Sequence, residues 1–431
     1  MFSHSNIAEV WNDRNGICTI ISDDGFLDSG LLLNELCKKT QLHATIAGTV
    51  CFIEPNLKIW QNIEREGYLE LVNHSYSHIP MNSFSKRTDE QAQLRHEILD
   101  AKAFYEEHFS TPAFTYVPPY NDISVAGNRF FKENGIFAVR CRPDGNNPLS
   151  PKYGEEEFNW LNLGMHDIGG GGYTTADRNS WVEVACQKHQ WTIEMWHDVC
   201  RYKLTHCRPI WEKDAMEHLT FLAEKQSEGI LWVAHFTKAA AYLHERQHCA
   251  LHMLEQGPTQ VRFSVDFTDA FLPRTLFTFP LTVKAYLKSP QAAPLCCVRE
   301  SDNRKELLPV RQKSSEAYVL FDLVPGDSAV LYLIESDAPS LLEGASQSSP
   351  QGRARKKGPE AVNTDHSLQR LQELQTLQRE LTYLKASRSF RIGRTITWLP
   401  RKVRGGIRCW QDHGFIYTFK RGWHKIRKKC F

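Results

Sequence analysis

The chain has 431 residues, 41% of them hydrophobic and 24% charged, a balance that excludes a disordered or fibrous protein and is ordinary for a soluble globular one. This length is enough for two or three domains, and the formal net charge of +2 excludes a chain that is acidic or basic throughout. The charge is uneven, because residues 387–431 carry 13 Lys or Arg side chains and one acidic residue, Asp412. We therefore expect a mildly acidic body with a strongly basic tail.

The first part of the chain alternates short β-rich runs with helical patterns. In chain order the predicted strands are 17–21, 44–50, 69–72, 113–117, 136–139, 191–196 and 230–236. Helical spacing of apolar residues follows the first of these strands. It also follows the third strand, over 94–109, and the last strand, over 237–247. This alternation predicts an α/β domain with a parallel sheet or barrel.

The pattern changes near Gly257, where alternation with a period of two replaces the helical spacing. Three such runs lie between turns that contain Pro and Gly, which predicts a small β-sandwich. A segment rich in Ser, Gln, Gly, Pro and basic residues predicts a flexible linker, and a leucine stripe after it predicts a short helix. The predicted division is a barrel over 1–255, a sandwich over 256–337, a linker over 338–363, a helix over 364–386 and a basic tail over 387–431.

The cysteines and the N-terminal residues indicate the cellular compartment. Twelve cysteines are scattered without a C-x-x-C pair or a framework spacing, which is typical of a reducing environment. The first 15 residues lack the apolar core of a signal peptide, and no apolar run approaches the roughly 18 residues of a membrane span. These features predict a cytoplasmic protein, with export by an unusual route left open.

Acidic and histidine side chains collect where the predicted strands end. Asp23 and Asp24 follow the first strand and precede a glycine that lets the chain turn. His74 and His78 follow the third strand, and a helical turn there would bring both imidazoles to one side. His197 follows a later strand. In α/β barrels, catalytic side chains gather at the rim formed by the carboxyl ends of the strands. Two imidazoles and a carboxylate at this rim predict a hydrolytic site for zinc or a related divalent metal.

Four segments resemble the motifs of a known family. TIISDDG (19–25) resembles the T-F-D-D-G motif of polysaccharide deacetylases, the NodB-homology group of carbohydrate esterase family four, and NHSYSH (73–78) matches their H-[ST]-x-x-H motif. VPPY (117–120) resembles the R-x-P-[FY] segment, and MWHDV (195–199) is similar to the late L-x-H motif. The resemblance covers about residues 8–250 and implies an irregular (β/α) barrel.

The resemblance implies a metal-dependent hydrolase that removes N-acetyl groups from a sugar or polysaccharide, a reaction at a carbon–nitrogen bond, with O-acetyl or N-formyl groups as the alternatives. The implied metal ligands are Asp24, His74 and His78. A divalent ion, with Zn²⁺ as the prediction, would polarise the amide carbonyl and lower the pKa of bound water. No organic cofactor is implied.

Proton transfer and oxyanion binding fall to further residues by the same resemblance. Asp23 would be the general base and His197 the general acid. The backbone at Pro119 and Tyr120 would help to bind the oxyanion.

One position departs from the family pattern. Val117 stands where the family has an arginine that pairs with the base, so Asp23 lacks its expected orienting partner. Arg140 or Arg142, at the end of a later predicted strand, is a candidate replacement. A surface or structural role for both arginines is an equally open alternative.

The C-terminal part of the chain suggests partners. Residues 387–404 interleave apolar and basic side chains and resemble the C-terminal ends of some bacterial glycosyltransferases of surface-polysaccharide assembly. Such a segment can lie on an anionic membrane surface, bind an acidic partner or nucleic acid, or be a plain solvated tail. The membrane alternative would place the enzyme at the inner membrane face, beside the enzymes of glycan synthesis.

Two alternatives to an enzyme stay open. One is a non-catalytic module that keeps the deacetylase fold and binds glycan or partners. The other is a scaffold that forms homo-oligomers through residues 364–386 and recruits biosynthetic enzymes. The five acidic and histidine residues of the rim favour the enzyme, whereas Val117 leaves the question open.

Overall fold

The structure is a computed structural model that describes residues 2–142, 145–149, 160–168, 172–201, 209–257, 260–268, 273–288, 295–313, 315–333 and 346–347. All of these residues belong to one compact unit of the chain, Met1–Gly352. The predicted helix over 364–386 and the basic tail over 387–431 lie outside the described residues, as does most of the predicted linker over 338–363. Within the described ranges, no helix has the length and apolarity that a membrane crossing requires.

Short strands make up most of the first part of the chain. In chain order they are β1 (Phe2–Ile7), β2 (Gly16–Ser22), β3 (Ala44–Gly48), β4 (Leu69–Asn73), β5 (Thr115–Tyr116), β6 (Ala138–Arg142), β7 (Asn147–Pro148), β8 (Leu163–Gly164), β9 (His166–Asp167), β10 (Gln190–Trp196), β11 (Asp198–Cys200), β12 (Pro209–Trp211) and β13 (Leu231–Val233). The later strands are β14 (Cys249–Gln256), β15 (Gln260–Phe267), β16 (Leu281–Leu287), β17 (Leu295–Arg299), β18 (Lys305–Leu308), β19 (Arg311–Lys313), β20 (Glu316–Leu323), β21 (Ser328–Leu333) and β22 (Ser346–Gln347).

Helices separate many of the strands of the first part. They are α1 (Leu27–Thr40), α2 (Val50–Ile53), α3 (Leu57–Glu66), α4 (Glu90–Leu94), α5 (Ala101–His108), α6 (Val125–Glu133), α7 (Thr175–Gln187), α8 (Glu212–Ser227) and α9 (Phe236–His248). A π-turn, Arg95–Asp100, joins α4 to α5 in one continuous helical segment.

The largest sheet is barrel-like and mostly parallel. Its strands follow the order β7-β10-β2-β3-β4-β5-β6-β8, with β13 beside β2 and β9 beside β10. Strands β2, β3 and β4 are buried along their whole length, as expected for parallel strands covered on both faces. The predicted mixed α/β fold with a barrel-like sheet is therefore confirmed.

The side chain of Asn147 helps to close this sheet. Its amide nitrogen donates to the carbonyl of Gly164 in β8 at 2.9 Å and to that of Trp191 in β10 at 3.3 Å. Its amide oxygen accepts from the Gly164 N–H at 2.7 Å. One residue, Met165, then separates β8 from β9, which pairs with β10. The two ends of the sheet thus meet around Asn147.

Two mostly antiparallel sheets follow the barrel-like sheet, with β18 and β22 paired in parallel. One has the order β1-β16-β20-β19 and the other the order β14-β15-β21-β17-β18-β22. They contact each other through Phe263, whose ring lies 5.7 Å from that of Phe2 and 5.4 Å from that of Phe321. Because β1 and β14 belong to these sheets, the strands do not follow the predicted boundary between 255 and 256. The N-terminal six-residue strand is instead part of the accessory region.

Helix α9 is the buried link between the barrel-like sheet and the antiparallel sheets. The Tyr242 hydroxyl donates to the carbonyl of Ala8 at 2.8 Å, and the Phe279 N–H donates to the Glu245 carboxylate at 2.8 Å. A single hydrophobic cluster runs from the barrel strands through α9 into both sheets. The two parts therefore share one core.

Candidate active site

The three predicted metal ligands lie together at the carboxyl ends of β2 and β4. Oδ1 of Asp24 is 2.8 Å from Nε2 of His78 and 3.4 Å from Nε2 of His74. One ligating atom from each residue lies within 4.8 Å of the others. Asp24 and His74 are buried, and His78 is partly exposed, so this cluster is open to solvent on one side.

Backbone hydrogen bonds between adjacent loops fix the position of this cluster. The His74 N–H donates to the carbonyl of Gly48 at 3.0 Å, and the Thr49 N–H donates to the carbonyl of Asp24 at 3.1 Å. The loops after β2, β3 and β4 are thereby joined side by side. The carboxylate and the first imidazole are held at neighbouring points of the same rim.

The segment between the two histidines bends and forms no helical turn, so the expected helical turn was wrong. Its N–H groups instead bond to side chains. The Ser75 N–H donates to Oδ1 of Asn73, and the His78 N–H donates to Oγ of Ser75, both at 2.9 Å. The Ser77 N–H donates to Oε2 of the buried Glu97 at 2.9 Å. These contacts bring the second imidazole back toward Asp24.

Several residues of the site have positive φ angles, which residues other than glycine rarely adopt. The left-handed residues here are Asp24 (φ 73°), Ser75 (72°), His78 (61°), Tyr120 (59°) and Asn121 (55°). Each such residue costs on the order of 1–3 kcal/mol, and such residues concentrate at functional sites. This rim is a place where the fold tolerates backbone strain.

Asp23 is paired with one of the two candidate arginines. Nη2 of Arg140 lies 2.7 Å from Oδ2 of Asp23, and both side chains are buried. Arg142 pairs in register with Gly164 of β8, at the same end of the sheet. Oδ1 of Asp23 has no hydrogen-bond partner among the described residues. One oxygen of the carboxylate is therefore held by a cation, while the other is buried without a partner among the described residues.

His197 lies at the same rim as Asp23. Strands β10 and β2 run parallel with Trp196 opposite Ser22, and the Asp23 N–H donates to the carbonyl of Trp196 at 2.8 Å. The Ser22 and Ser29 hydroxyls both donate to the carbonyl of His197, at 3.0 and 3.3 Å. The backbone of the predicted general acid is thereby anchored beside the predicted base.

Pro119 and Tyr120 form a short turn after β5. Tyr120 is 68% exposed, and its ring centroid lies 4.9 Å from that of His78. The turn is therefore next to the metal cluster, and the oxyanion role of its backbone stays a prediction.

Two further residues belong to this rim and were not singled out from the sequence. Glu97 lies in the π-turn and bonds to the loop between the histidines. Asp167 ends β9 and lies opposite Met195 of β10, two residues before His197. No local sequence pattern links either residue to the site, because each residue contacts the site only through the pairing or packing of distant segments.

The donor set fits a divalent metal ion. Nδ1 of His74 lies 2.6 Å from the carbonyl oxygen of Val117, an acceptor, so Nδ1 donates to that carbonyl and Nε2 is the nitrogen that faces Asp24. Burial alone would raise the pKa of Asp24, but hydrogen bonds and charge from His74 and His78 outweigh it and hold that pKa well below its usual range. The carboxylate is thus ionised. Two imidazoles and a carboxylate with an open side are typical of catalytic zinc sites.

Comparisons with known proteins agree with the motifs. The family model described as polysaccharide deacetylase matches residues 22–138, which include Asp23, Asp24, His74, His78 and the turn at Pro119. His197 lies beyond the matched range. No curated protein matches the chain significantly.

Solved structures similar to this chain include three carbohydrate esterases or deacetylases. A family 4 carbohydrate esterase from Streptomyces lividans in complex with acetate is 16% identical, with a TM-score of 0.36 over 51% of this chain and 93% of that one. A family 4 acetyl xylan esterase from Clostridium thermocellum with a cobalt ion is 15% identical, with a TM-score of 0.35 over 52% of this chain and 89% of that one.

The peptidoglycan deacetylase PdaC from Bacillus subtilis is 16% identical, with a TM-score of 0.36 over 55% of this chain and 94% of that one. The family model and the motif residues at the rim point to the same family. Over residues 22–138, this chain matches the polysaccharide deacetylase family.

Proposed function

We propose that this protein is a divalent-metal-dependent hydrolase that removes N-acetyl groups from a sugar or polysaccharide. The observation that carries the proposal is the cluster of Asp24, His74 and His78 within 4.8 Å, with the Asp23–Arg140 pair beside it. A purely structural role gives no reason for three ligating side chains to meet at a solvent-open rim with a strained backbone.

Asp24, His74 and His78 would hold the ion, with Zn²⁺ as the proposed metal. When bound, such an ion supplies a Lewis acid that polarises an acetyl carbonyl and acidifies water. His74 is prepared for this role because the carbonyl of Val117 fixes its tautomer and its ring orientation. The partial exposure of His78 gives the acetyl group a way in.

Proton transfer would use the two residues that flank the cluster. Oδ1 of Asp23 takes a proton from the attacking water, while Arg140 holds Oδ2 and keeps the carboxylate oriented. His197, anchored through its carbonyl at the end of β10, gives a proton to the leaving amine. The backbone at Pro119 and Tyr120 binds the oxygen on which negative charge develops.

The cellular setting is part of the proposal. We place the enzyme in the cytoplasm, in bacterial surface-glycan synthesis, with the basic tail (387–431) directing it to the inner membrane face. The two antiparallel sheets would be an accessory β-sandwich, and the leucine stripe (364–386) would be an oligomer contact. These elements await tests of their own, beginning with salt-sensitive binding of the full chain to anionic vesicles.

Metal analysis of the purified protein tests the centre of the proposal. We expect the wild type to bind one divalent ion per chain and to release acetate from N-acetylated oligosaccharides. His74→Ala should lose the ion, whereas Asp23→Asn should keep the ion and lose acetate release, because Asp23 acts on water rather than as a ligand. A wild type without bound metal, or variants as active as the wild type, would contradict the proposal.

A further inference from the structure

Ser29, in the first turn of α1, bonds to the backbone of the segment that carries His197. Its Oγ accepts from the Val199 N–H at 2.8 Å and donates to the carbonyl of His197 at 3.3 Å. The residue is 1% exposed, so water does not compete for these contacts. Because a hydroxyl can donate and accept at once, one side chain holds both ends of the segment 197–199.

These contacts join the proposed acid to the part of the chain that carries the proposed base. Helix α1 follows the loop of Asp23, and the Asp23 N–H donates to the carbonyl of Trp196 at 2.8 Å. The segment from β2 into α1 therefore holds the chain both before and after His197. Ser22 also donates to the His197 carbonyl, at 3.0 Å, but of the two serines Ser29 is the one that also binds Val199.

The chemistry of an amide makes the position of the acid important. The nitrogen of an amide leaves as an amine only when it receives a proton, so the imidazole of His197 must reach that nitrogen within hydrogen-bond distance. A displacement of about 1 Å in such a group can cost on the order of 100-fold in rate. An aryl ester has no such requirement, because its phenolate leaves without a proton.

We infer that Ser29 is a positioning residue for the general acid, and that it holds the segment 197–199 so that His197 stands at the leaving nitrogen. The inference rests on the proposed deacetylation, in which His197 gives the proton. Ser29 therefore governs the hydrolysis of amides and has little influence on the hydrolysis of activated esters. This selectivity distinguishes a positioning role from a general loss of structure.

Steady-state kinetics of the zinc-loaded full chain test the inference with two substrates, the β-1,4-linked tetramer of N-acetylglucosamine and 4-nitrophenyl acetate. We expect Ser29→Ala to lower kcat for the tetramer about 10- to 100-fold, with KM unchanged, because the acid is misplaced while substrate binding is not affected. Its kcat for the aryl ester should equal that of the wild type. Ser29→Cys keeps a weak donor and acceptor and should lie between the two.

Hydrogen exchange of the Val199 amide measures the contact without reference to activity. Ser29→Ala should speed this exchange about tenfold, the equivalent of one lost hydrogen bond. Thr45→Val is the matched control, since Oγ1 of Thr45 is also buried, accepts from the Phe236 N–H at 2.9 Å and donates to Glu70 at 2.8 Å. It should lose stability and keep the wild-type kinetics and the wild-type exchange at Val199.

Three results would overturn the inference: an unchanged kcat for the tetramer in Ser29→Ala, an equal loss with both substrates, or unchanged exchange of the Val199 amide. Failure of the proposed function has a different signature. Faster exchange in Ser29→Ala, with no acetate release by the wild type, would support the hold of Ser29 on the segment 197–199 and refute the proposed activity.

Discussion

At the scale of single residues, the site depends on which hydrogen-bond or ion-pair partner each polar atom has. The two oxygens of Asp23 have different surroundings: Oδ2 faces the Arg140 guanidinium at 2.7 Å, and Oδ1 has no partner among the described residues. A carboxylate held in this way is oriented by one oxygen and unpaired at the other. Arg140 thus occupies the place that Val117 leaves empty in the family pattern, from a different strand of the same sheet.

Arg140→Met should lower the turnover for acetate release by about 10- to 100-fold with little change in metal affinity, because Asp23 loses its orienting partner but is not a ligand. Kinetics and a zinc titration of the same preparation separate the two effects. Arg14→Met is the control, since Arg14 is a buried arginine that donates to the carbonyls of Gln226 and Leu231 instead. It should lose stability and keep its turnover per folded molecule. A fully active Arg140→Met variant would refute the orienting role.

At the scale of elements, the π-turn between α4 and α5 shapes the metal loop. π-turns within helices are rare and are often found at functional sites. Here the turn places the buried Glu97 where Oε2 accepts from the Ser77 N–H, and it places the carbonyl of Ile98 where Asn73 donates to it at 3.0 Å. A strained loop is thereby held from its outer side by one helical segment.

Glu97→Leu should weaken zinc affinity about tenfold, because the loop that carries His78 loses an acceptor for one of its N–H groups. Glu97→Gln retains an acceptor oxygen and should stay near the wild-type affinity. Glu70→Leu is the matched control: Glu70 is also buried, but it bonds to Thr45 and Thr237. It should lose stability without a change in zinc affinity. Equal zinc affinities in Glu97→Leu and Glu97→Gln would show that the contact does not position His78.

At the scale of the whole molecule, one hydrophobic core runs from the barrel-like sheet through α9 to the antiparallel sheets. The contact between α9 and the segment before β16 includes a buried acid, Glu245, whose Oε1 accepts from the Phe279 N–H. Burial raises the pKa of Glu245 to about 8, despite that hydrogen bond, which lowers it. The folded protein therefore holds a proton on Glu245 that the unfolded chain releases at lower pH.

This raised pKa predicts a pH dependence of stability. Because the folded state binds the proton more tightly, the stabilising contribution is complete below the unfolded pKa near 4.5 and is lost as the pH rises through about 8. The slope from this group approaches ~1.4 kcal/mol per pH unit inside that window. Urea unfolding of wild type and Glu245→Gln at pH 5 to 8 measures it. The wild type should lose more stability than the variant, and parallel curves would exclude Glu245 as the cause.

The sequence allowed much of the rim to be predicted, because strand ends can be recognised from local patterns. Asp23, Asp24 and the two histidines follow runs of apolar residues, and the structure brings three of them together. Side-chain contacts between strands of the sheet were harder to predict from the sequence. Arg140 was one of two candidates, since strand pairing alone decides which guanidinium meets Asp23.

The missed features depend on packing between distant segments. Nothing near Phe2–Ile7 specifies its pairing with β16, some 280 residues away, so these residues were not predicted as a strand and were placed within the barrel, 1–255. The ring of Phe52 contacts those of Phe26 and His78, which belong to segments that are separate in the sequence. Hydrophobic periodicity gives the face of an element but not its neighbour.

Removal and return of the metal ion test the central claim most directly. The wild-type full chain, stripped with a chelator, should stop releasing acetate from the N-acetylglucosamine tetramer, and one equivalent of Zn²⁺ should restore the release. His78→Ala, treated in the same way, should not recover. Acetate release that persists in the stripped protein, or that returns equally in His78→Ala, would contradict a metal-dependent deacetylase centred on Asp24, His74 and His78.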